Sequence, residues 1–458
     1  MRTTLVWLFT VVLTPCLAFA QASITGSVKD ASGAILPGVT VEAASPALIE
    51  KVRTVTTDGT GQYSIVDLRP GVYSVTFTLA GFSTVKREGI ELAGSFAATL
   101  NTEMRVGALE ETITVTGASP TVDVTSSTVQ KVMTVDVVSQ IPVTRTLTSV
   151  AALVPATTGV NTRTGLSIHG SRSTDQKMVQ DGLSIGIPTL TGGSEAATGL
   201  NLSAVQEVAV DVAAVAADTG QGGVRVNLIP REGGNVFRGS MFVQLQTEAM
   251  QGSNYSDALK AAGLASAAGT KRVWDVNPGY GGPILRDRLW FYATMRYEGS
   301  ETYVPGMFSN LNAGKPNVWA YVPDTSQPSL NNPINTNGQV RFTTQVTPKN
   351  KAAFAYSQSS NNGGGGISAT TAPESRAPTR VPFYRTLAAS WSSPLTSRLL
   401  IDAAAYQQFF RYGSMVPAGE SLSPAMIPVT DQATSLSYRS APGAANVPGA
   451  YTNNALRS

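Results

Sequence analysis

Two-residue alternation dominates the second half of the chain. From Phe237 to Gln246, Phe237, Gly239, Met241, Val243 and Leu245 are apolar or small, Arg238, Ser240, Gln244 and Gln246 take the opposite face, and only Phe242 breaks the pattern. From Gln339 to Val346, Gln339, Arg341, Thr343 and Gln345 oppose Val340, Phe342, Thr344 and Val346. Successive side chains of a strand point to opposite faces, so such a strand suits lipid on one side and water or packed protein on the other. Leu289 to Tyr297 is less clean: Leu289, Phe291, Ala293, Met295 and Tyr297 stand against Trp290, Tyr292, Thr294 and Arg296, and an interfacial aromatic girdle would account for Trp290 and Tyr292. Val273 to Gly282, Lys351 to Ser357, Phe383 to Trp391 and Leu399 to Phe410 bring the predicted strands of this region to seven. Most lie near the ~9–11 residues that a tilted strand needs to cross a bilayer.

The links between these strands alternate in length. Thr247–Arg272, Glu298–Gly338 and Gln358–Pro382 are long, whereas Pro283–Arg288, Thr347–Asn350 and Ser392–Arg398 are short. Outer-membrane barrels alternate in this way because their periplasmic turns are tight and their outer loops extended; a soluble sandwich has no reason to. The long links, including Asn361 to Gly366, are then expected outside the cell.

The first part of the chain also reads as strands, but shorter ones. The runs ITGSV, VTVEA, YSIVDL and VYSVTFTL alternate between Ser23 and Arg105 and are separated by Leu36-Pro37-Gly38, Asp58-Gly59 and Pro70-Gly71, which predicts a small β-sandwich. After it comes Glu111-Thr112-Ile113-Thr114-Val115-Thr116-Gly117, an acidic residue leading a β-branched run. One reading is an edge strand. The other is a TonB box, a segment that adds to a strand of a periplasmic energy-coupling protein through main-chain hydrogen bonds. Between residues 120 and 235, Ser/Thr-rich stretches mix with strand patterns and one predicted helix near Thr144 to Leu153.

Composition adds an address and removes chemistry. Arg2, the apolar run LVWLFTVVL and the ending Ala18-Phe19-Ala20 form a secretory signal, so residues 1–20 are expected to be cleaved and the mature chain to start at Gln21. Pro15 before Cys16 does not suit lipidation of that cysteine, which is the only one in the chain, so no disulfide is expected in the mature protein. The charge of +3 over 458 residues does not suit nucleic acid. Charged residues make up only 14%, and 43 glycines accompany frequent Thr, Ser and Val, a composition for strands and turns. The chain has a single histidine, His169, so no zinc-peptidase ligand set can be assembled, and no catalytic, cofactor or metal residues are assigned.

Four segments resemble known families. ITGSVKDASGAILPGVTVEA followed by TDGTGQYSIVDLRPGVYSVTFTLAGF resembles the carboxypeptidase regulatory-like, transthyretin-like domain and covers residues 23–105. GLSIHGSRSTDQKMVQDGLSI carries His169-Gly170 and Asp181-Gly182, and GGVRVNLIPREGGNVFRGS opens on Gly222-Gly223; the pair resembles the plug-domain signature and the plug's last strand. GYGGPILRDRLWFYATMRYEG resembles an early barrel hairpin. Taken in order, signal, sandwich, box, plug and barrel resemble the TonB-dependent outer-membrane receptors of the Oar-like subgroup.

The resemblance implies a mainly β chain: a transthyretin-like sandwich at 23–105, a box-like segment at 111–117, an α+β plug at 120–235 and the first strands of an antiparallel transmembrane β-barrel at 236–458. It implies import through the outer membrane, a TonB-type periplasmic coupling protein and outer-membrane lipid as partners, and an unidentified small or oligomeric substrate held by outer loops and plug apices. No enzymatic activity and no nucleic acid are implied. Barrels of this family have about 22 strands, so seven suggest a fragment of a longer reading frame. The other expectation left open is a structural or adhesive surface protein without transport.

Overall fold

The computed structural model describes residues 22–48, 51–92, 97–107, 112–116, 129–141, 149–150, 153–159, 166–172, 175–185, 201–213, 223–263, 269–347, 349–364, 366–376, 379–396, 399–414, 426–441 and 449–457. The secretory signal lies outside them.

The N-terminal alternation folds as two packed sheets. Its strands are β1 (Ala22–Asp30), β2 (Thr40–Ala44), β3 (Val52–Thr56), β4 (Gln62–Leu68), β5 (Gly71–Thr78), β6 (Thr84–Leu92), β7 (Ala97–Thr99), β8 (Thr102–Met104) and β9 (Thr112–Thr116). One sheet runs β4-β1-β7, with β8 also paired to β1, and the other runs β3-β2-β5-β6-β9. Every second residue of β5 faces inward, so that Tyr73, Val75 and Phe77 meet Ile24, Val28, Val41, Tyr63 and Ile65 in a dry core. Burying side chains of this size contributes about 1.5–3 kcal/mol each, the main favourable term that holds the two sheets together.

The middle of the chain forms a separate, mixed sheet of order β10-β15-β16-β13-β14. It contains β10 (Val129–Thr134), β13 (Lys177–Gln180), β14 (Leu183–Ser184), β15 (Val205–Ala213) and β16 (Arg225–Pro230), and a separate pair is made by β11 (Thr157–Gly159) with β12 (Leu166–Ile168). Its core joins Met133, Met178, Val208, Val210, Val226 and Leu228. A helix at Val135–Gln140, capped by the Thr134 hydroxyl, was not legible in the apolar pattern. Of the helix expected at Thr144 to Leu153, residues 149 and 150 are helical and most of the rest lie outside the described residues.

All seven strands expected after Asn235 form, and most run well beyond their expected ends. They are β17 (Arg238–Thr247), β18 (Thr270–Leu285), β19 (Leu289–Asn310), β21 (Ile334–Thr347), β22 (Asn350–Asn361), β23 (Thr379–Thr396) and β24 (Leu399–Ser414). β20 (Pro323–Asn331) pairs with the far half of β19, β25 (Val429–Thr430) pairs with β26 (Ser437–Tyr438), and β27 (Gly449–Arg457) adds to β24. The result is one antiparallel sheet, β17-β18-β19-β21-β22-β23-β24-β27, with β20 at its side. The expected long link Glu298–Gly338 is therefore mostly strand. β19 outruns the length of a membrane crossing because its far half is stabilised by β20 and by apolar packing of Val304 and Met307 against Ile367 and Ala372.

One face of the sheet packs against the middle domain, and this corrects the reading of Trp290 and Tyr292. Both are buried, at 1% and 7% exposure, on the face turned to the middle domain, so they are packing residues and not girdle residues. Conversely Met241, Val243 and Leu245 are about 60% exposed on the outer face, as the alternation requires. No helix among the described residues is long and apolar enough to cross a membrane, which does not bear on crossing by strands.

Candidate functional site

The inner face of the wall is polar where the middle domain meets it. Asn337, Arg341 and Thr343 of β21 are buried there, which is the face the sequence alternation assigned to polar residues. Arg341 donates from both terminal nitrogens to the Asp181 carboxylate, at 2.6 and 3.1 Å. Asn277 and Thr294, from β18 and β19, bond to the Asn201 side chain, with Asn277 donating at 2.9 Å. Gln408 of β24 donates to the Ile185 carbonyl and, at 2.6 Å, to the Tyr384 hydroxyl.

The two dipeptides singled out in the middle domain are left-handed turns. Asp181 and Gly182 have φ of +49° and +75° and join β13 to β14 across the Gln180 to Leu183 register, the backbone of a two-residue hairpin loop. That turn aims the Asp181 side chain at the wall. His169 and Gly170 follow β12 with φ of +48° and +79°; His169 is exposed, and the described residues contain no cluster of His, Cys, Asp and Glu suited to a metal. Gly223 approaches the Asp175 carbonyl so closely that a Cβ would stand 2.5 Å from its oxygen. Gly222 lies outside the described residues.

Glu232 is the site that sequence reading missed. It sits between β16 and β17, where the chain leaves the middle domain for the wall, and its carboxylate gathers cations from three parts of the fold. Lys351 of β22 stands at 3.4 Å, Arg341 at 3.5 Å, and Arg69, from the β4–β5 turn of the sandwich, forms a direct ion pair with it. Burial alone would raise its carboxyl pKa, but Arg69, Lys351 and Arg341 together outweigh it and hold the group well below the usual carboxylate range. No local pattern announces this residue, since its partners are separated from it by more than a hundred positions.

Next to it the chain is threaded tightly into the wall. A Cβ on Gly233 would stand 2.4 Å from the Phe291 carbonyl oxygen and 2.7 Å from the Trp290 Cβ. Asn235 then accepts from the Trp290 indole and from the Asp287 backbone nitrogen, both at 2.8 Å. Asp287 belongs to the short turn between β18 and β19, so the exit and the sandwich contact share the short-turn side of the wall.

The sequence is similar to known proteins. Residues 23–105 match the carboxypeptidase regulatory-like domain family. The TonB-dependent transporter Oar of Myxococcus xanthus is 33% identical over 289 residues, covering 60% of this chain and 27% of that protein. The chain is a homologue of the TonB-dependent transporter Oar. It spans about a quarter of that relative's length, and the relative is named as a transporter, not as an enzyme. Among solved structures, a ferric enterobactin receptor mutant from Pseudomonas aeruginosa is similar at 13% identity and a TM-score of 0.42, covering 68% of this chain and 44% of that one. The outer-membrane transporter YddB from Escherichia coli is similar at 13% identity and a TM-score of 0.43, covering 62% and 39%.

Of the box-like segment, Glu111 and Gly117 lie outside the described residues, and Thr112, Ile113, Thr114, Val115 and Thr116 form β9. β9 pairs in parallel with β6 of the sandwich, from Thr84 opposite Thr112 to Glu88 opposite Thr116. On the opposite side of the wall the long links are packed. Tyr321 donates to the Phe308 carbonyl at 2.8 Å, and the buried Arg439 guanidinium stacks 3.7 Å from the Trp319 ring centre.

Proposed function

We propose that the chain is part of an outer-membrane transporter in which residues 120–235 plug a β-barrel and Glu111 to Gly117 is the segment through which a TonB-type periplasmic protein acts on that plug. The observation that carries this reading is the polar seam between the wall and the middle domain. Asp181, Asn201 and Glu232 meet Arg341, Asn277, Thr294 and Lys351 across it. A face of this kind suits a plug that must move: hydrogen-bonded and charge-paired contacts can be exchanged for contacts to water, whereas an interlocked apolar core cannot.

The transport step needs no covalent chemistry from these residues. The side chains hold the plug in register, the outer wall face meets lipid, and the exit at Glu232 and Gly233 fixes one end of the plug to the first wall strand. Work done on the box side of the plug opens a path along the seam. The substrate is a scarce small or oligomeric nutrient taken from outside, met by the long links and the plug apices.

The reading is tested by deleting Glu111 to Gly117 from the full-length protein, with the substrate found by a growth screen with and without the gene. Loss of uptake with unchanged surface exposure supports it. An unchanged phenotype supports instead a structural or adhesive surface protein that has kept the sandwich and lost transport.

A further inference from the structure

β9 stands at the edge of the sheet β3-β2-β5-β6-β9, and without it β6 would offer an unpaired row of backbone donors and acceptors. The chain is guided there: Ser83 donates to the Arg105 carbonyl at 2.8 Å, Phe82 bridges Val106, and Gly107 donates to the Gly81 carbonyl at 3.2 Å. The proposed coupling segment is thus already engaged in the type of main-chain pairing it would make with a partner's strand.

The anchoring of the sandwich sets the route that force can take. Arg69 ties the sandwich to Glu232, and Glu232 is tied to the wall through Lys351 and Arg341. A pull applied to β9 while it lies on β6 is carried into the sandwich and from there to the wall. It does not run along the chain to β10, where the middle domain's sheet begins; it enters instead at Glu232, beyond the end of β16. Tension passes along the chain to β10 only after β9 has left β6.

We infer that the β6 edge of the sandwich, Thr84 to Glu88, is a docking site for Thr112 to Thr116 that competes with the periplasmic coupling protein for the same strand. The sandwich then sets the affinity of the coupling step: the partner's strand must replace the five register pairs from Thr84–Thr112 to Glu88–Thr116. This inference rests on the reading of Glu111 to Gly117 as the coupling segment.

Cysteine pairs test it; residues 1–458 contain one native cysteine, Cys16. In full-length protein with Cys16 and every other native cysteine replaced by serine, Lys86→Cys is combined with Thr114→Cys, and separately Glu88→Cys with Thr116→Cys; both pairs are direct register partners, at a spacing that a disulfide spans. Binding of the purified periplasmic domain of the coupling protein is measured with each pair oxidised and reduced. Oxidation is expected to weaken binding by roughly tenfold or more, and reductant to restore it. Unchanged affinity with the bond formed, or failure of both pairs to form it, overturns the inference. The deletion of Glu111 to Gly117 separates the two claims. If it leaves binding intact, the coupling-segment reading fails; if it abolishes binding while the oxidised pairs still bind, only the docking inference fails.

Discussion

Asp181 and Arg341 form a forked ion pair between a two-residue turn of the middle domain and the inner face of the wall, with nitrogen to oxygen distances of 2.6 and 3.1 Å. The guanidinium is 5% exposed and the carboxylate 16%, so water screens the pair poorly. Removing one partner leaves the other charged in a dry place. Asp181→Ala or Arg341→Met is expected to destabilise the full-length protein by about 3 kcal/mol. The double variant should lose less than the sum of the two, read by denaturant unfolding in detergent; strict additivity would mean that the pair is not coupled.

Glu232 gives the junction a pH dependence whose sign is fixed. Its folded-state pKa lies below the ordinary value of 4.5, so the unfolded chain takes up its proton first as pH falls. The stabilisation is complete above that ordinary value and is lost as pH drops below it toward the folded-state value. Wild-type protein should therefore lose stability on acidification from about pH 5 to pH 3, and Glu232→Gln should flatten that part of the profile. An unchanged slope in the variant would remove Glu232 as the source of the pH dependence.

The two glycines after Glu232 predict opposite outcomes for the same substitution. A Cβ at Gly233 meets the Phe291 carbonyl oxygen and Trp290, whereas one at Gly234 meets nothing within 4 Å. Gly233→Ala should cost about 1–3 kcal/mol through forced backbone movement, the range for overpacking. Gly234→Ala should fall within about 0.5 kcal/mol of wild type, as surface changes do. Thermal unfolding of both variants checks the pair.

Val243 and Gln244 are neighbours on β17 with different surroundings in a membrane. Val243→Arg, on the outward apolar face, should cost about 2–4 kcal/mol if that face meets lipid near the midplane. Gln244→Arg, on the opposite face, should be tolerated. Refolding into lipid vesicles measures both, and equal tolerance would count against a lipid-facing wall.

Much of this architecture is legible in the sequence because alternation is a local signal. Gln339, Arg341, Thr343 and Gln345 declare one face of β21 without reference to any other strand, and the wall emerges from repeating that reading. Leu289 to Tyr297 shows the limit. An aromatic residue belongs equally well to an interfacial girdle or to a packed interior, and only the position of the middle domain decides that Trp290 and Tyr292 face inward. The expected strand ends fall short for a related reason: the far half of β19 is held by β20, which reads in sequence as part of a long link, and no window of ten residues contains both. Asp181-Gly182 is readable as a turn, but its ion pair requires Arg341, 160 positions away. Glu232 carries no signal at all, since its significance comes entirely from Arg69, Arg341 and Lys351.

A wall that crosses the outer membrane in the proposed orientation holds its long links outside the cell, and its short turns, the exit at Glu232 and the sandwich in the periplasm. Single cysteines in an otherwise cysteine-free background report that orientation: Thr325→Cys in the long connection between β19 and β21, and Arg286→Cys in the short turn between β18 and β19, both at exposed positions. A membrane-impermeant maleimide applied to intact cells expressing the full-length protein should label Thr325→Cys at once and Arg286→Cys only after the outer membrane is permeabilised. Labelling of Arg286→Cys in intact cells, or protection of Thr325→Cys until permeabilisation, would rule that orientation out.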